Sequence, residues 1–337
     1  MPFRAIAGHD RLLDLTAAAA LRGTLPPSLI FAGPEGVGKR TAAVALAQLL
    51  NCAAPVQATG RAAPDACGAC ASCTRIARGV HADVLVIEPG ENGSIRIDAV
   101  REAIERAAYR PFEGRRRVVI VDSADAMVSE AQNALLKTLE EPPPASMFVL
   151  VTSRPDVLLI TVRSRCQRLR FGPLAPGEVA EVLRTAHGWE PAAAHAAASV
   201  SDGSVGAALE GASADFLEAR EAARRLLETA AASADPRRRL EAGRHLALGG
   251  RAGTDRAALS RRLRALASML RDLIALGLQA GDRSLANADL KPALSRILGA
   301  FDGDRALRGF DAVHRALDAL DRNASPKIVA DWIALEV

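Results

Sequence analysis

Short apolar runs alternate with helical periods over the first half of the chain. Leu29-Ile30-Phe31-Ala32 is a continuous apolar run that gives way to glycines, and a helical pattern then runs through Leu50. Val84 to Ile87, Val118 to Val121 and Phe148 to Thr152 are three more short β-rich runs with helical stretches between them. Apolar strands separated by helices predict a parallel sheet covered on both faces. The alternation extends from about Ala17 to Cys166 and stops after Phe171-Gly172-Pro173, beyond which no strand is predicted. Residues 174–210 carry two or three short helical periods. From Ala214 to Val337 Ala, Leu and Arg recur at helical spacing, broken at Asp235-Pro236, Gly249-Gly250 and Gly281-Asp282. The expected organisation is an α/β domain over 1–172, a small helical domain over 173–212 and an all-helical domain over 213–337.

Composition sharpens this picture in a few places. Apolar residues make up 49% of the 337 and charged residues 24%, enough for sizeable cores and unlike a disordered chain. Aromatics are only 3%, so the cores are built from Ala, Leu, Val and Ile, and nucleic-acid binding through stacking platforms is disfavoured. The net charge of +4 is mildly basic, compatible with a nucleic-acid partner without requiring one. The start, Met1-Pro2-Phe3-Arg4, lacks the apolar run of a signal peptide, and no membrane-length apolar stretch follows. A cytoplasmic protein with no membrane partner is the expectation.

Gly33-Pro34-Glu35-Gly36-Val37-Gly38-Lys39 follows a predicted strand and opens a predicted helix. In that context Gly33, Gly36 and Gly38 let backbone N–H groups turn inward on a phosphate, and Lys39 supplies charge. The motif asks next for a Ser or Thr hydroxyl to hold Mg²⁺. Arg40 stands there instead, with Thr41 one place late. The run Val118-Val119-Ile120-Val121-Asp122 ends in an acid that could hold Mg²⁺ in the second half of such a site. Ser123 follows where an ATPase of this kind needs a Glu to polarise water. ATP or ADP binding is therefore compatible with the sequence, whereas metal-assisted hydrolysis is not expected.

The chain has five cysteines, and Cys52, Cys67, Cys70 and Cys73 lie close together in sequence. Cys-x-x-Cys-x-x-Cys with one earlier Cys can close a tetrahedral structural Zn²⁺ site with no open position for water. An iron–sulfur cluster and unliganded thiols are the alternatives. The stretch between is rich in Ala, Pro and Gly and reads as an excursion from the sheet, at about 52–73. Cys166 lies apart and reads as a small buried apolar residue.

Three stretches together resemble one family. Asn133-Ala134-Leu135-Leu136-Lys137-Thr138-Leu139-Glu140-Glu141-Pro142-Pro143, the triplet Ser164-Arg165-Cys166 and the four-cysteine insertion after the phosphate-loop helix are similar to the AAA+ subunits of the DNA polymerase III clamp loader. Asn323-Ala324-Ser325-Pro326-Lys327 resembles their last collar helix. The resemblance implies an AAA+ P-loop domain with a zinc-binding excursion, a helical lid and a C-terminal helical collar. Motor members of the family carry a Thr after the loop lysine, Asp-Glu on the second motif and a lid Arg. Here stand Arg40, Ser123 and Gly206. That combination resembles the family's non-motor stator, which lends an arginine finger to its neighbour.

On this resemblance Arg165 is the finger, and Thr152 or Ser153 occupies the polar sensor position. The implied partners are the motor (gamma/tau) and delta subunits in a hetero-oligomeric ring, the sliding clamp, and primed DNA reached through the complex. Two rival functions remain open, an active motor ATPase and a zinc-bearing nucleic-acid-binding module with a vestigial phosphate loop. Arg115-Arg116-Arg117 reads as a solvated turn before the Val118 strand, and Arg237-Arg238-Arg239 and Arg261-Arg262 with Arg264 read as helix-face charges, solvated surface with DNA or subunit contacts as the alternative.

Overall fold

In a computed structural model the apolar runs become strands β1 (Ser28–Ala32), β2 (Val84–Ile87), β3 (Arg117–Val121) and β4 (Ser146–Thr152). With β5 (Gln167–Arg170) they form a five-stranded sheet in the order β2-β3-β4-β1-β5, every neighbouring pair parallel. The structure describes residues 1–57, 62–210, 213–247, 252–279, 285–322 and 324–337, which fall into two units, Met1–Leu174 and Ala175–Val337. The breaks at Gly249-Gly250 and Gly281-Asp282, and Asn323 of the final motif, lie outside the described residues.

The strands β1, β3 and β4 are buried along their whole length because helices cover both faces. On one face Phe31, Val118, Ile120 and Val149 pack with Leu13 and Ala17 of α1 (Asp10–Arg22) and with Ala42 to Leu49 of α2 (Lys39–Asn51). Ile76, from α3 (Ala71–Ala77), belongs to this core as well. On the opposite face Ile30, Val119, Val121 and Leu150 meet α4 (Ile97–Ala108), α5 (Ser129–Glu140) and Val162 of the one-turn α6 (Ile160–Arg163). Successive strand residues thus feed opposite cores, the expected period of two. The edge strand β5 has no counterpart in the apolar pattern. Of Gln167-Arg168-Leu169-Arg170 only Leu169 is half-buried, and the segment is a strand because it pairs with β1.

One corner of the sheet is held by a buried acid. Asp83, just before β2, accepts hydrogen bonds from the backbone N–H groups of Phe112 (2.7 Å), Glu113 (2.9 Å) and Gly114 (2.8 Å). Its fourth partner is the Arg117 guanidinium at 2.8 Å, so Arg117 is buried and paired rather than solvated as its charged run suggested. Burial alone would raise this carboxyl, but the four donors outweigh it and bring it from 3.8 to about 2. A depressed folded value stabilises above the ordinary range and loses that contribution as pH falls towards the folded value. Asp83 should therefore contribute about 2 kcal/mol at neutral pH, lost between roughly pH 4 and pH 2. Urea denaturation of Asp83→Asn should show a neutral-pH loss of about 3–5 kcal/mol, because Arg117 is left buried without its partner. The acid sensitivity of the variant should shrink accordingly.

The second unit contains helices and, among the described residues, no strand. α7 (Pro176–His187), α8 (Pro191–Val200) and the short α9 (Val205–Leu209) come first, then α10 (Ser213–Ala232), α11 (Pro236–Ala247) and α12 (Ala252–Gly277). α13 (Lys291–Ile297), α14 (Gly303–Asp321) and α15 (Pro326–Glu336) complete it. α12 packs between α10 and α14, α11 lies on α15, and α8 touches α7, α10 and α12. The break at Asp235-Pro236 separates α10 from α11 as expected. Asp272 of α12 is fully buried and accepts from the backbone N–H groups of Ala286 (2.9 Å) and Asn287 (2.8 Å), pinning the approach to α13. Arg262 is also buried, donating to the Leu246 carbonyl (2.7 Å) and Glu218 (2.6 Å), which corrects the solvated reading at that one residue of its run. Among the described residues no helix is long and apolar enough to cross a membrane.

Candidate functional site

The phosphate loop joins β1 to α2. Gly38 caps α2 at φ 95°, and Gly36 lies at φ 71°, both in the region where a side chain is strained. Gly33 is required by space, since a Cβ there would sit 2.0 Å from the Phe171 carbonyl oxygen. Lys39 is nine-tenths buried, and its Nζ donates to the loop's own carbonyls, Gly33 at 2.8 Å and Pro34. Burial lowers its pKa, while Glu35, Asp122 and Asp125 act in the opposite direction. A bound phosphate would exchange those carbonyls for its own oxygens.

The position after the lysine decides what else fits. The guanidinium of Arg40 lies 3.2 Å from Asp122 Oδ2 and also pairs with Glu88, which follows β2. Burial raises the Asp122 pKa and Arg40 opposes the rise. Thr41, one turn position on, contributes no hydroxyl contact to Asp122 among the described bonds. Family chemistry would place Mg²⁺ on a hydroxyl and Asp122. Here a cation already sits on that acid and the hydroxyl is replaced by the side chain that carries it, so the residues present do not fit the metal.

Ser123 is exposed, at φ 54°, and offers no carboxylate. The next acid along the chain, Asp125, is engaged elsewhere. Thr152 Oγ1 donates to its Oδ1 at 2.7 Å and Arg154 Nε to its Oδ2 at 2.9 Å. Burial would raise this carboxyl, but those two donors outweigh it and lower its pKa. Thr152 also accepts from the Arg154 backbone N–H at 3.0 Å, so the sensor position holds a local network at the end of β4. Ser153, next in line, is exposed.

The four cysteines converge. Cys52 caps the end of α2, Cys70 the start of α3, and Cys73 lies within α3. The four Sγ atoms lie within 4.8 Å of one another, with Cys67 and Cys73 at 4.0 Å. A tetrahedral ion with Zn–S of about 2.3 Å needs sulfurs about 3.8 Å apart, so the donor set fits. Backbone N–H groups of Cys67 and Cys70 donate to the sulfurs of Cys52 (3.2 Å) and Cys67 (3.3 Å). Gly68 makes the intervening turn at φ 78°. Burial raises the Cys52 and Cys73 thiols. Backbone N–H groups lower Cys67, whereas at Cys70 burial is opposed and outweighed by hydrogen bonds that bring it to about 6. Asp65, fully buried, ties the excursion to the N-terminal segment through the N–H groups of Phe3 (3.2 Å) and Arg4 (2.8 Å). Cys166 stands apart, buried against the opposite face, with its thiol pushed up to about 12 by burial.

Residues 8–175, about half of the chain, match the family described as DNA polymerase III, delta subunit. The delta-prime subunit of Pseudomonas aeruginosa is 42% identical over 135 residues, 40% of this chain and 39% of that protein. The gamma/tau subunit of Mycobacterium tuberculosis is 34% identical over 181 residues, 54% of this chain and 30% of that one. The chain belongs to the AAA+ clamp-loader family of DNA polymerase III. A Thermotoga maritima protein related to the gamma subunit is 19% identical, aligned over 96% of this chain and 99% of that chain, with a TM-score of 0.43. The matched stretches span about a third of the length of these curated relatives.

Within the region matched to this family, Arg165 follows α6 at the approach to β5. Its guanidinium is held by neighbours in the same unit. Nε donates to Glu140 Oε1 at 2.7 Å, a second nitrogen pairs with the same oxygen, and Nη1 reaches the Thr161 carbonyl at 2.9 Å. Glu140 ends α5, within the Lys-Thr-Leu-Glu-Glu-Pro run of the family motif, so the two family signatures meet in space. The sequence singles out Arg165 and Arg40 but not their pairing with Glu140 and Glu88, nor the bond from Thr152 to Asp125. Gly206 sits in the first turn of α9, whose cap is the Ser204 hydroxyl accepting from Ala207 N–H at 3.0 Å.

Proposed function

We propose that the chain is the delta-prime-like stator of a bacterial DNA polymerase III clamp loader, assembling with gamma/tau motor and delta subunits to place the sliding clamp on primed DNA. In this reading residues 173–212 act as a lid and 213–337 as the collar through which subunits assemble. Arg165 supplies the arginine finger to the neighbouring motor. Cys52, Cys67, Cys70 and Cys73 hold one structural Zn²⁺.

The observation that carries the reading is the state of the hydrolytic machinery. Arg40 engages Asp122, Ser123 replaces the water-polarising acid, and Asp125 is tied to Thr152 and Arg154. A finger needs none of these. It needs only a rigidly mounted guanidinium that can trade an intramolecular acid for a neighbour's γ-phosphate. Glu140 gives Arg165 such a mount.

The motor reading draws its support from the intact glycines and Lys39 of the loop. The two are separated by steady-state hydrolysis and by co-purification with the gamma/tau and delta subunits of the same genome. The isolated chain should show no ATP turnover above background, with or without DNA, and should enter a stable hetero-oligomer. Turnover abolished by Lys39→Ala, or failure to assemble, would contradict the stator assignment.

A further inference from the structure

The phosphate loop brings its own cation. In a metal-dependent site of this kind, Mg²⁺ neutralises the acid at the end of the neighbouring strand and the phosphate oxygens together. Arg40 starts from the first turn of α2, where the hydroxyl ligand belongs, and spans Asp122 and Glu88 at the ends of β3 and β2. Its five N–H donors outnumber the two carboxylate contacts it makes, which leaves donors for a phosphate. Arg40 is about half exposed, with 53% of its side chain accessible, so the guanidinium is open to solvent on the side away from Asp122 and Glu88. A divalent ion, by contrast, would have to evict a permanently charged side chain from Asp122.

We propose that this loop binds a nucleoside diphosphate without a metal ion, Arg40 standing where Mg²⁺ would stand. The inference rests on reading Gly33 to Lys39 as a phosphate loop. Lys39 and the loop N–H groups take the phosphate oxygens, and Arg40 closes the site from the side of Asp122. The charges favour a diphosphate over a triphosphate. Lys39, Arg40 and Arg154 face Glu35, Glu88, Asp122 and Asp125, so the site offers no excess positive charge beyond its N–H dipoles. With Mg²⁺ in place of Arg40 the same residues would carry one positive charge more.

Calorimetric titration of the full chain with ADP, in EDTA and in millimolar Mg²⁺, tests this. The wild-type affinity should agree within about threefold between the two conditions. Arg40→Thr, which restores the hydroxyl and removes the cation, should bind ADP about tenfold or more weakly in EDTA and recover when Mg²⁺ is added. Glu88→Gln removes an acid from Arg40 without touching the loop, and should tighten ADP binding in EDTA. Thermal unfolding of each variant checks that it is folded. Wild-type binding that needs Mg²⁺, an Arg40→Thr variant as indifferent to the metal as wild type, weakened binding by Glu88→Gln, or no ADP binding at all would each overturn the inference. None of these would touch the stator assignment, which is tested by assembly and by Arg165.

Discussion

Replacing Arg165 with Ala should reduce the DNA- and clamp-stimulated ATPase of the assembled loader while leaving this subunit folded. A finger acting on phosphoryl transfer is worth about 10³-fold or more at the site it serves. A ring with several active sites would lose only the fraction of its total rate that belongs to that site, whereas clamp loading, which depends on the sites acting together, should suffer more. Stability should change little. The Arg165–Glu140 pair is partly exposed, and such pairs contribute about 1 kcal/mol or less. Arg165→Lys should rescue poorly, since Lys lacks the planar fork that meets phosphate oxygens two at a time. The measurement is steady-state hydrolysis by complexes matched for subunit content, carrying Arg, Lys or Ala at 165. Equal rates in all three would reduce Arg165 to a surface residue.

Metal removal should have the largest effect on structure. One Zn²⁺ per chain is expected by elemental analysis, and Cys70→Ser should abolish it. Structural zinc contributes about 10 kcal/mol or more in small sites, so a chain excursion built on four thiolates cannot hold its geometry without the ion. The loss should be confined. The turn from Cys67 to Cys73 and the short α3 depend on the cluster, whereas the part near Asp65 keeps its bonds to Phe3 and Arg4. The sheet is held by its own two cores. Hydrogen exchange should therefore rise over 67–77 and stay low over β1, β3 and β4. Iron in place of zinc, no metal, or exchange spreading through the sheet would each contradict this account.

How much of this was legible in the sequence follows from the range of the interactions involved. The strands β1, β3 and β4 announce themselves because helices cover both faces and leave no room for polar residues. The edge strand β5 could not be read that way. It is made of Gln, Arg and Leu and becomes a strand only through the hydrogen bonds β1 offers it. The cysteine cluster was legible because a spacing of two residues brings three sulfurs together locally, and the fold carries Cys52 to within reach of them.

The charged partners were not legible. Arg40 with Glu88 and Asp122, Thr152 with Asp125, and Arg165 with Glu140 join residues far apart in sequence that the strand order alone brings side by side. Arg117 and Arg262 sit in runs that look solvated, yet each is buried because an acid, Asp83 or Glu218, waits for it elsewhere in the fold.

The central claim is that this subunit serves another's active site and not its own. Clamp loading on primed DNA by the reconstituted complex tests it most directly when two variants are compared in one assay. Lys39→Ala disables any catalysis by this chain's own loop, and Arg165→Ala disables what it lends across the interface. A stator predicts loading close to the wild-type rate with Lys39→Ala and a clear loss with Arg165→Ala. Loss with Lys39→Ala and none with Arg165→Ala would mean that the chain is a motor.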